Sequence, residues 1–557
     1  MIRSVYLLLL SAFASSTIKR VPTLSDPLAL DYQDYFAGWK LEELQVEDYV
    51  KGSVWPKPQG ETPNGEVYSI SPQNFKFTIT GQSSDVLQDA ISRYKKLTFP
   101  DSEDGDSSCE SSCERKKAKA QGLSEITQLT VKVINKYENL TLETDESYQL
   151  DVISPTSSLT AYNVWGALRG LETFSQVVYQ DPSGSYVANG TKIVDFPRFH
   201  HRGFLIDTSR HYINVPVILK FLDALSYSKF NVLHWHIVDD QSFPYVSEKF
   251  PELSNVGAWN NKTHIYTKDD IAMILEYARL RGIRVVPEFD TPGHTFSWRS
   301  IPDLLTPCYS QGKPSGGYGP INPTIDSNYE FLAEFFQEVV SRFPDKYLHL
   351  GGDEVPFSCW QSNPDITEWM DKMGFKQNYS LLEQYYEQKL LKIVGGLDRE
   401  YIIWQEVIDN NVQVLPDTVV NVWKGGWQNE MAKVTGKGLK AILSSCWYLN
   451  YISYGQDWHK YYQCDPQAFD GTNEQKELVM GGTGCMWGEW VDGTNLLTRT
   501  WPRALAVGER LWSAQSVTDL TDADNRLWEH RCRYLRRGIP AENGVQSKYC
   551  RYEWPGF

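Results

Sequence analysis

From Arg202 onward the chain repeats one rhythm eight times, and that repetition constrains the fold more than any other feature. Apolar, strand-like runs fall at 203–207, 231–238, 283–289, 347–350, 401–404, 419–423, 440–443 and 484–487. Helical patterns separate most of them, at 217–228, 268–281 and 329–342 among others. Short runs that are apolar throughout suit parallel strands covered on both faces. Eight such units over about 290 residues are what a (β/α)8 TIM barrel requires. The alternative is an open doubly wound sheet, and the lack of a glycine-rich phosphate fingerprint after 203–207 counts against it.

The chain of 557 residues exceeds one ordinary core, so a second domain is expected. Residues 51–197 read as a smaller α/β domain, with strand-like runs at 75–79 and 129–134. A helix is expected over 160–179, where Val164, Leu168, Leu171 and Phe174 recur at helical spacing. Residues 101–122, rich in charged and small side chains, read as a solvated loop. The barrel domain then spans 198–557.

Arg3, the apolar run 5–10 and the small-residue stretch 12–14 have the layout of a cleaved secretory leader, assigned to 1–15 and too short to span a bilayer. Residues 16–50 form a lead-in without periodicity. Four sequons, at Asn139, Asn189, Asn261 and Asn378, agree with export as glycan acceptors. Nine cysteines leave one unpaired. The near pairs Cys109/Cys113, Cys308/Cys359, Cys446/Cys464 and Cys532/Cys550 are proposed disulfides, with Cys485 left over. A metal on Cys109 and Cys113 is disfavoured, since no second ligand pair stands at a zinc spacing. The destination is the secretory pathway, either lysosome or extracellular fluid. A formal charge of -16 argues against nucleic acid and anionic membrane as partners.

A barrel of this type carries its active site at the C-terminal ends of the strands. In this chain those ends are polar and aromatic: Asp207 to Arg210, Asp239 and Asp240, Glu288 to His294, Gly351 to Glu354, Trp404 to Glu406, Trp423, Trp447 to Asn450, and Trp487 to Trp490. A carboxylate-rich pocket lined by tryptophan suits a cationic transition state on a sugar. Asp353 and Glu354 are the sharpest local feature. Neighbours in a strand point to opposite faces, so both reach one pocket only if the chain turns, and Gly351 and Gly352 allow that. Two adjacent carboxylates repel, which favours one protonated and one ionised. His234, His236, Asp239 and His294 are the rival metal ligands. Alternation along the second strand, however, puts Asp239 on the face opposite His234 and His236. No metal and no cofactor are expected.

At these residues the chain resembles the family 20 β-N-acetylhexosaminidases, especially the animal lysosomal type, over about residues 50–557. The segments that carry the resemblance begin at Trp165-Gly-Ala-Leu-Arg-Gly-Leu-Glu-Thr-Phe, Arg202-Gly-Phe-Leu-Ile-Asp-Thr-Ser-Arg and His234-Trp-His-Ile-Val-Asp-Asp. They continue at Glu288-Phe-Asp-Thr-Pro-Gly-His, His349-Leu-Gly-Gly-Asp-Glu and Trp487-Gly-Glu. The resemblance implies an exo-acting, retaining glycosidase that removes terminal β-linked N-acetylglucosamine or N-acetylgalactosamine from oligosaccharides or glycoconjugates. In it, the acetamide of the substrate is the nucleophile. Glu354 is implied as the general acid and base, and Asp353 as the residue that orients the acetamide. Tyr448 would hydrogen-bond that group, and Trp404, Trp423 and Trp487 would wall it in. Arg210 and Glu489 would bind sugar hydroxyls, with Asp239 and His294 as supports around Glu354. After the seventh-strand tyrosine, one chain type of the family has Asn-Arg and tolerates anionic sugars, and another has Asp-Leu and prefers neutral ones; Asn450-Tyr451 matches neither. Lys313 departs from the acidic residue with which the first type helps to dock a lipid-presenting activator. A homodimer is implied by the same resemblance. Two further readings are a silent carbohydrate-binding protein on the same scaffold, against which the intact Asp353 and Glu354 stand, and an enzyme for chitin oligosaccharides.

Overall fold

A computed structural model of the chain describes residues 51–100, 122–135, 139–451, 453–544 and 548–550. The leader, the lead-in and the Cys109/Cys113 pair lie outside them. Eight parallel strands close a barrel in sequence order: His201–Asp207, Val232–Val238, Arg284–Phe289, Tyr347–His349, Glu400–Trp404, Val419–Val422, Lys440–Leu443 and Val479–Met486. The eighth pairs with the first from Gly481↔His201 to Met486↔Ile206, which shuts the ring. This last strand starts at Val479 rather than at 484, because its glycines break the apolar run by which strands are recognised.

The helices that cover the barrel start at defined caps. Asn214 accepts a hydrogen bond from the Val217 amide and Pro216 sits in the opening turn of Val215–Tyr227. Thr267 and Asp270 cap Lys268–Arg279 reciprocally. Inside the ring, Val232, Val286, Tyr347, Ile402, Val419 and Ile442 form an apolar plug towards the N-terminal ends of the strands. Further along the strands come His234, Glu288 and His349, all buried. Leu205, Trp404, Cys485 and Trp487 cluster above them. The plug closes one end, so access to the interior is from the C-terminal ends.

Ahead of the barrel lies a mixed eight-stranded sheet. Its neighbours run Lys76–Gly81, Gln128–Val133, Thr156–Ala161, Tyr148–Val152, Tyr186–Asp195, Gly60–Ile70 and Glu125–Ile126, with Val178–Gln180 beside Tyr186–Asp195. The helix expected over 160–179 is shorter. Thr156–Ala161 is a strand, and the helix starts at Val164 behind the Asn163 cap and ends at Val177. All its residues are buried, polar ones included, because it is packed between the sheet and the barrel. Its polar side chains join the two layers: Arg169 pairs with Glu146 at 2.6 Å and donates to the Gly282 carbonyl at 2.7 Å. On the same helix, Glu172 accepts from Arg537 at 2.9 Å, and the Gln176 amide bonds both the N–H and the carbonyl of Trp55. Glu146 also bonds Arg202, the buried first-strand arginine, at 2.7 Å. Disulfides join Cys308–Cys359, Cys446–Cys464 and Cys532–Cys550, and Cys485 is free and buried.

Candidate active site

The strand ends surround a pocket of about 480 Å³. Arg210, Asp239, His294, Asp353, Glu354, Trp423, Tyr448, Asn450, Trp487 and Glu489, all expected from the sequence, line it together. His236, Asp290, Tyr451 and Trp490 complete the wall. A larger hollow of about 620 Å³ opens beside Lys346, Glu400 and Asp417, where the fifth strand begins, and holds none of these residues.

Asp353 and Glu354 reach the pocket through a left-handed turn. Gly351, Gly352 and Glu354 have φ of 71°, 94° and 49°. A Cβ on Gly351 would collide with the Asp290 carboxylate, so glycine is required for space as well as for φ. Asp290 in turn accepts the Gly352 amide at 2.9 Å, which fixes the turn. Glu354 holds its left-handed conformation without being glycine, a strain of the kind that concentrates at working sites. His294 does the same, with φ 55°.

One charged network ties these groups down. Asp239 contacts three basic side chains: His236 Nε2 at 2.8 Å, Arg210 at 2.9 Å and His294 Nδ1 at 3.2 Å. Arg210 also pairs with Asp207 at 2.9 Å and lies over the Trp487 ring. Glu288 contacts His234 Nε2 at 2.7 Å and His236 Nδ1 at 2.8 Å, and accepts Trp404 Nε1–H at 2.8 Å. Burial opposes charge on Asp239, but His236, His294 and Arg210 outweigh it and hold the carboxyl far below its usual range. Burial likewise disfavours a charged His236, yet Glu288 and Asp239 push its pKa up to about 10. His349 goes the other way, down to about 3, because burial outweighs Glu288.

The placement of Asp239 corrects the expectation from alternation. The second strand gains one residue against the third, since His236 pairs with Glu288 and Val238 with Phe289. That bulge at Ile237 reverses the parity, so Asp239 ends on the side of His236 rather than opposite it. The four tempting metal ligands do not form one set. His234 groups with Glu288 and His349, while His294 groups with Asp239 and Asp240 or with Asp290 and Asp353. A cation at Asp239 would meet the Arg210 guanidinium.

The two carboxylates of the turn differ in environment. Asp353 is buried, and it, Asp290 and His294 bring one polar atom each within 4.8 Å of one another. Burial and the facing Asp353 push Asp290 well up; burial also raises Asp353, against the pull of His294. Two carboxyls in one dry site share a proton. Glu354 has 59% of its side chain exposed, and the hydrogen bond and charge of His294 lower its pKa. Asp353 is thus shifted up and Glu354 down, the reverse of the order that acid catalysis by Glu354 needs.

Trp404 is not part of the lining; it is buried beneath the floor on Glu288. Trp423 donates to Glu406 at 2.8 Å and stacks on Tyr448, which stacks on Tyr451. Asn450 presents a buried Oδ1 without a partner. Trp490 stands 82% exposed at the mouth. Asp290 stands in a motif read from the sequence without a role, and His236 only as a rival metal ligand; their signal is proximity in sequence to Glu288 and Asp239.

Comparison with known proteins follows the same lines. The catalytic domain of glycosyl hydrolase family 20 matches residues 199–515, and a beta-acetyl hexosaminidase like domain matches 54–177. The beta-hexosaminidase subunit beta of Felis catus is 50% identical over 514 residues, covering 90% of this chain and 94% of that protein. The beta-hexosaminidase subunit alpha of Rattus norvegicus is 48% identical, covering 90% and 96%. The crystal structure of a Flavobacterium johnsoniae chitobiase superposes with a TM-score of 0.76 at 30% identity, over 89% of this chain and 74% of that one. The chain belongs to glycosyl hydrolase family 20. It is an enzyme, an exo-acting β-N-acetylhexosaminidase that uses the substrate's own acetamide as nucleophile.

Proposed function

We propose that Glu354 and Asp353 divide this reaction between them. Asp353, kept ionised because Asp290 takes their shared proton, orients the acetamide N–H. The acetamide oxygen attacks the anomeric carbon as the glycosidic C–O bond breaks, and Glu354 gives its proton to the departing oxygen. Asp353 stabilises the positive oxazolinium so formed. Water, deprotonated by Glu354, then attacks the same carbon, reopens the ring and leaves the sugar with its original β configuration. The observation that carries the assignment is the turn itself, which aims two carboxyls of unlike environment at one pocket.

Glu354 acquires its proton from the arrival of the sugar. A bound ring excludes water from a side chain now 59% exposed, and desolvation raises a carboxyl pKa. Tyr448 donates to the acetamide, Trp423 and Trp487 enclose it, and Trp404 supports them from below. Arg210 and Glu489 hold sugar hydroxyls. Asn450-Tyr451 offers no cation to an anionic substituent, so neutral N-acetylhexosaminides are the proposed substrates, with the aglycone leaving past Trp490.

The leader-like start and three disulfides support a protein of the secretory pathway, working in the lysosome or outside the cell as a homodimer. Asn139, Asn261 and Asn378 are exposed and suit glycans. Asn189 is half-buried in a strand, with its amide bonded to the Lys51 carbonyl at 2.8 Å and to Tyr179, which disfavours it as an acceptor. No helix among the described residues is long and apolar enough to cross a membrane.

The experiment for the acid assignment is Glu354→Gln measured against leaving-group pKa. Activity should fall about 10²–10⁴-fold where the leaving group needs a proton and far less where it does not. A uniform loss, or none, would remove Glu354 from this role.

A further inference from the structure

The helix Tyr379–Gly395 packs behind the fifth strand and carries Glu383 and Glu387 one turn apart, both buried. Side chains four residues apart share one helix face, so two carboxyls stand together in the interior. Glu383 accepts a hydrogen bond from Asn410 Nδ2 at 2.8 Å through one oxygen; its other oxygen and Glu387 Oε1 are buried without a partner. Neither forms a salt bridge among the described residues. Lys424, the cation that acts on Glu383, is held by Glu406 at 2.9 Å.

This pair abuts the catalytic turn. A Cβ on Gly352 would lie 3.5 Å from Glu387 Oε1 and would collide with Val407. Glu387 therefore backs the peptide that leads directly into Asp353. Tyr386 beside it, Tyr329 from the helix Asp326–Arg342 and Tyr401 from the fifth strand face its charge, with Asp290 past Tyr386, and none of these is a cation. Glu406 and Lys424 face Glu383.

We infer that Glu387, backed by Glu383, is a positioning residue for the catalytic turn: neutral, the pair lets the helix close on Gly352, and its ionisation displaces the turn and Asp353. The inference rests on the roles assigned to Asp353 and Glu354 above. Burial, with Glu406 adding to it, pushes Glu383 up to about 7; burial and Glu383 push Glu387 well above its ordinary range. A carboxyl raised in the folded state favours folding below its unfolded pKa, and that contribution is lost as pH rises through the folded value. The consequence is a turn that is tight in acid and loosens from neutral pH upward.

The test follows thermal unfolding and turnover of the full chain from about pH 5 to about pH 8. The substrate is an aryl N-acetyl-β-glucosaminide whose leaving group needs no proton, which removes the acid role of Glu354 from the first step; its role as base needs the ionised form and so favours a rise of kcat with pH, opposite to the fall expected here. Wild-type Tm and kcat should fall reversibly over that range, kcat by about tenfold for each pH unit past the transition. The paired variants Glu383→Gln/Glu387→Gln and Glu383→Gln/Glu387→Leu, permanently neutral at both positions, should flatten the two curves. Wild-type pH dependence in both variants, or loss of folded protein in acid in both, would overturn the inference. Unfolding is read without turnover, so this outcome is separate from that of the catalytic roles, which Glu354→Gln decides while leaving the Tm curve at its wild-type shape.

Discussion

His294 Nε2 stands 3.6 Å from a Glu354 carboxylate oxygen. Burial opposes a charge on His294, but Asp290, Asp239, Glu354 and Asp353 outweigh it and raise its pKa well above the usual value. A cation thus sits against the proton donor of the reaction. It lowers the pKa of Glu354 and so favours the ionised form, which a bound sugar must reverse.

Replacing the cation should move the acid. In His294→Gln the carboxylate loses its stabilising charge, so the pKa of Glu354 rises and its acid form persists to higher pH. The alkaline limb of kcat/KM should shift up by about one unit, measured on a substrate with a poor leaving group. An unmoved limb would mean that His294 does not control this proton.

Asp353→Asn should act on a different step. Its loss falls on the acetamide attack, so kcat should drop about 10²–10³-fold for good and poor leaving groups alike. The leaving-group series used for Glu354→Gln distinguishes the two residues. A silent Asp353→Asn would leave the assisted route without its electrostatic support.

Stability has its own acid limb. Arg202 and Arg169 outweigh burial and hold Glu146 down at about 2, against an ordinary value of 4.5. The lowered value favours folding above pH 4.5, and the contribution is lost as pH falls through the folded pKa. The shift corresponds to about 3 kcal/mol, an upper figure, since burial pulls Arg202 down at the same time. Glu146→Gln would leave two buried guanidinium groups without a counter-charge and should cost about 3–5 kcal/mol in denaturant titration at neutral pH. A change below 1 kcal/mol would show that the pairing does not hold the small domain to the barrel.

The barrel was legible because strands covered on both faces are apolar along their whole length, as in 203–207 and 440–443. Its site was legible because Arg210, Asp353 and Trp487 interrupt those runs at the ends where a core would reject them. What escaped reading depends on contacts between segments distant in sequence. The bulge at Ile237 exists only in the pairing of two strands, and no feature of 231–238 alone displays it. Gly60–Ile70 is exposed along most of its length and has no alternation to recognise. The polar residues of the helix Val164–Val177 mark a solvent face in sequence, yet they are buried because the barrel covers them. Trp404 resembles a wall residue by position, and only its burial beside Trp487 and its bond to Glu288 show that its indole is turned to the interior.

The most direct measurement is hydrolysis of aryl N-acetyl-β-glucosaminide and aryl N-acetyl-β-galactosaminide by the purified protein at acidic pH, beside the plain aryl β-glucoside. The account predicts cleavage of both acetamido sugars and none of the glucoside, which lacks the group that Asp353 orients. Cleavage of the glucoside at a comparable rate would contradict the assisted mechanism, and cleavage of none of the three by folded protein would contradict the enzyme itself.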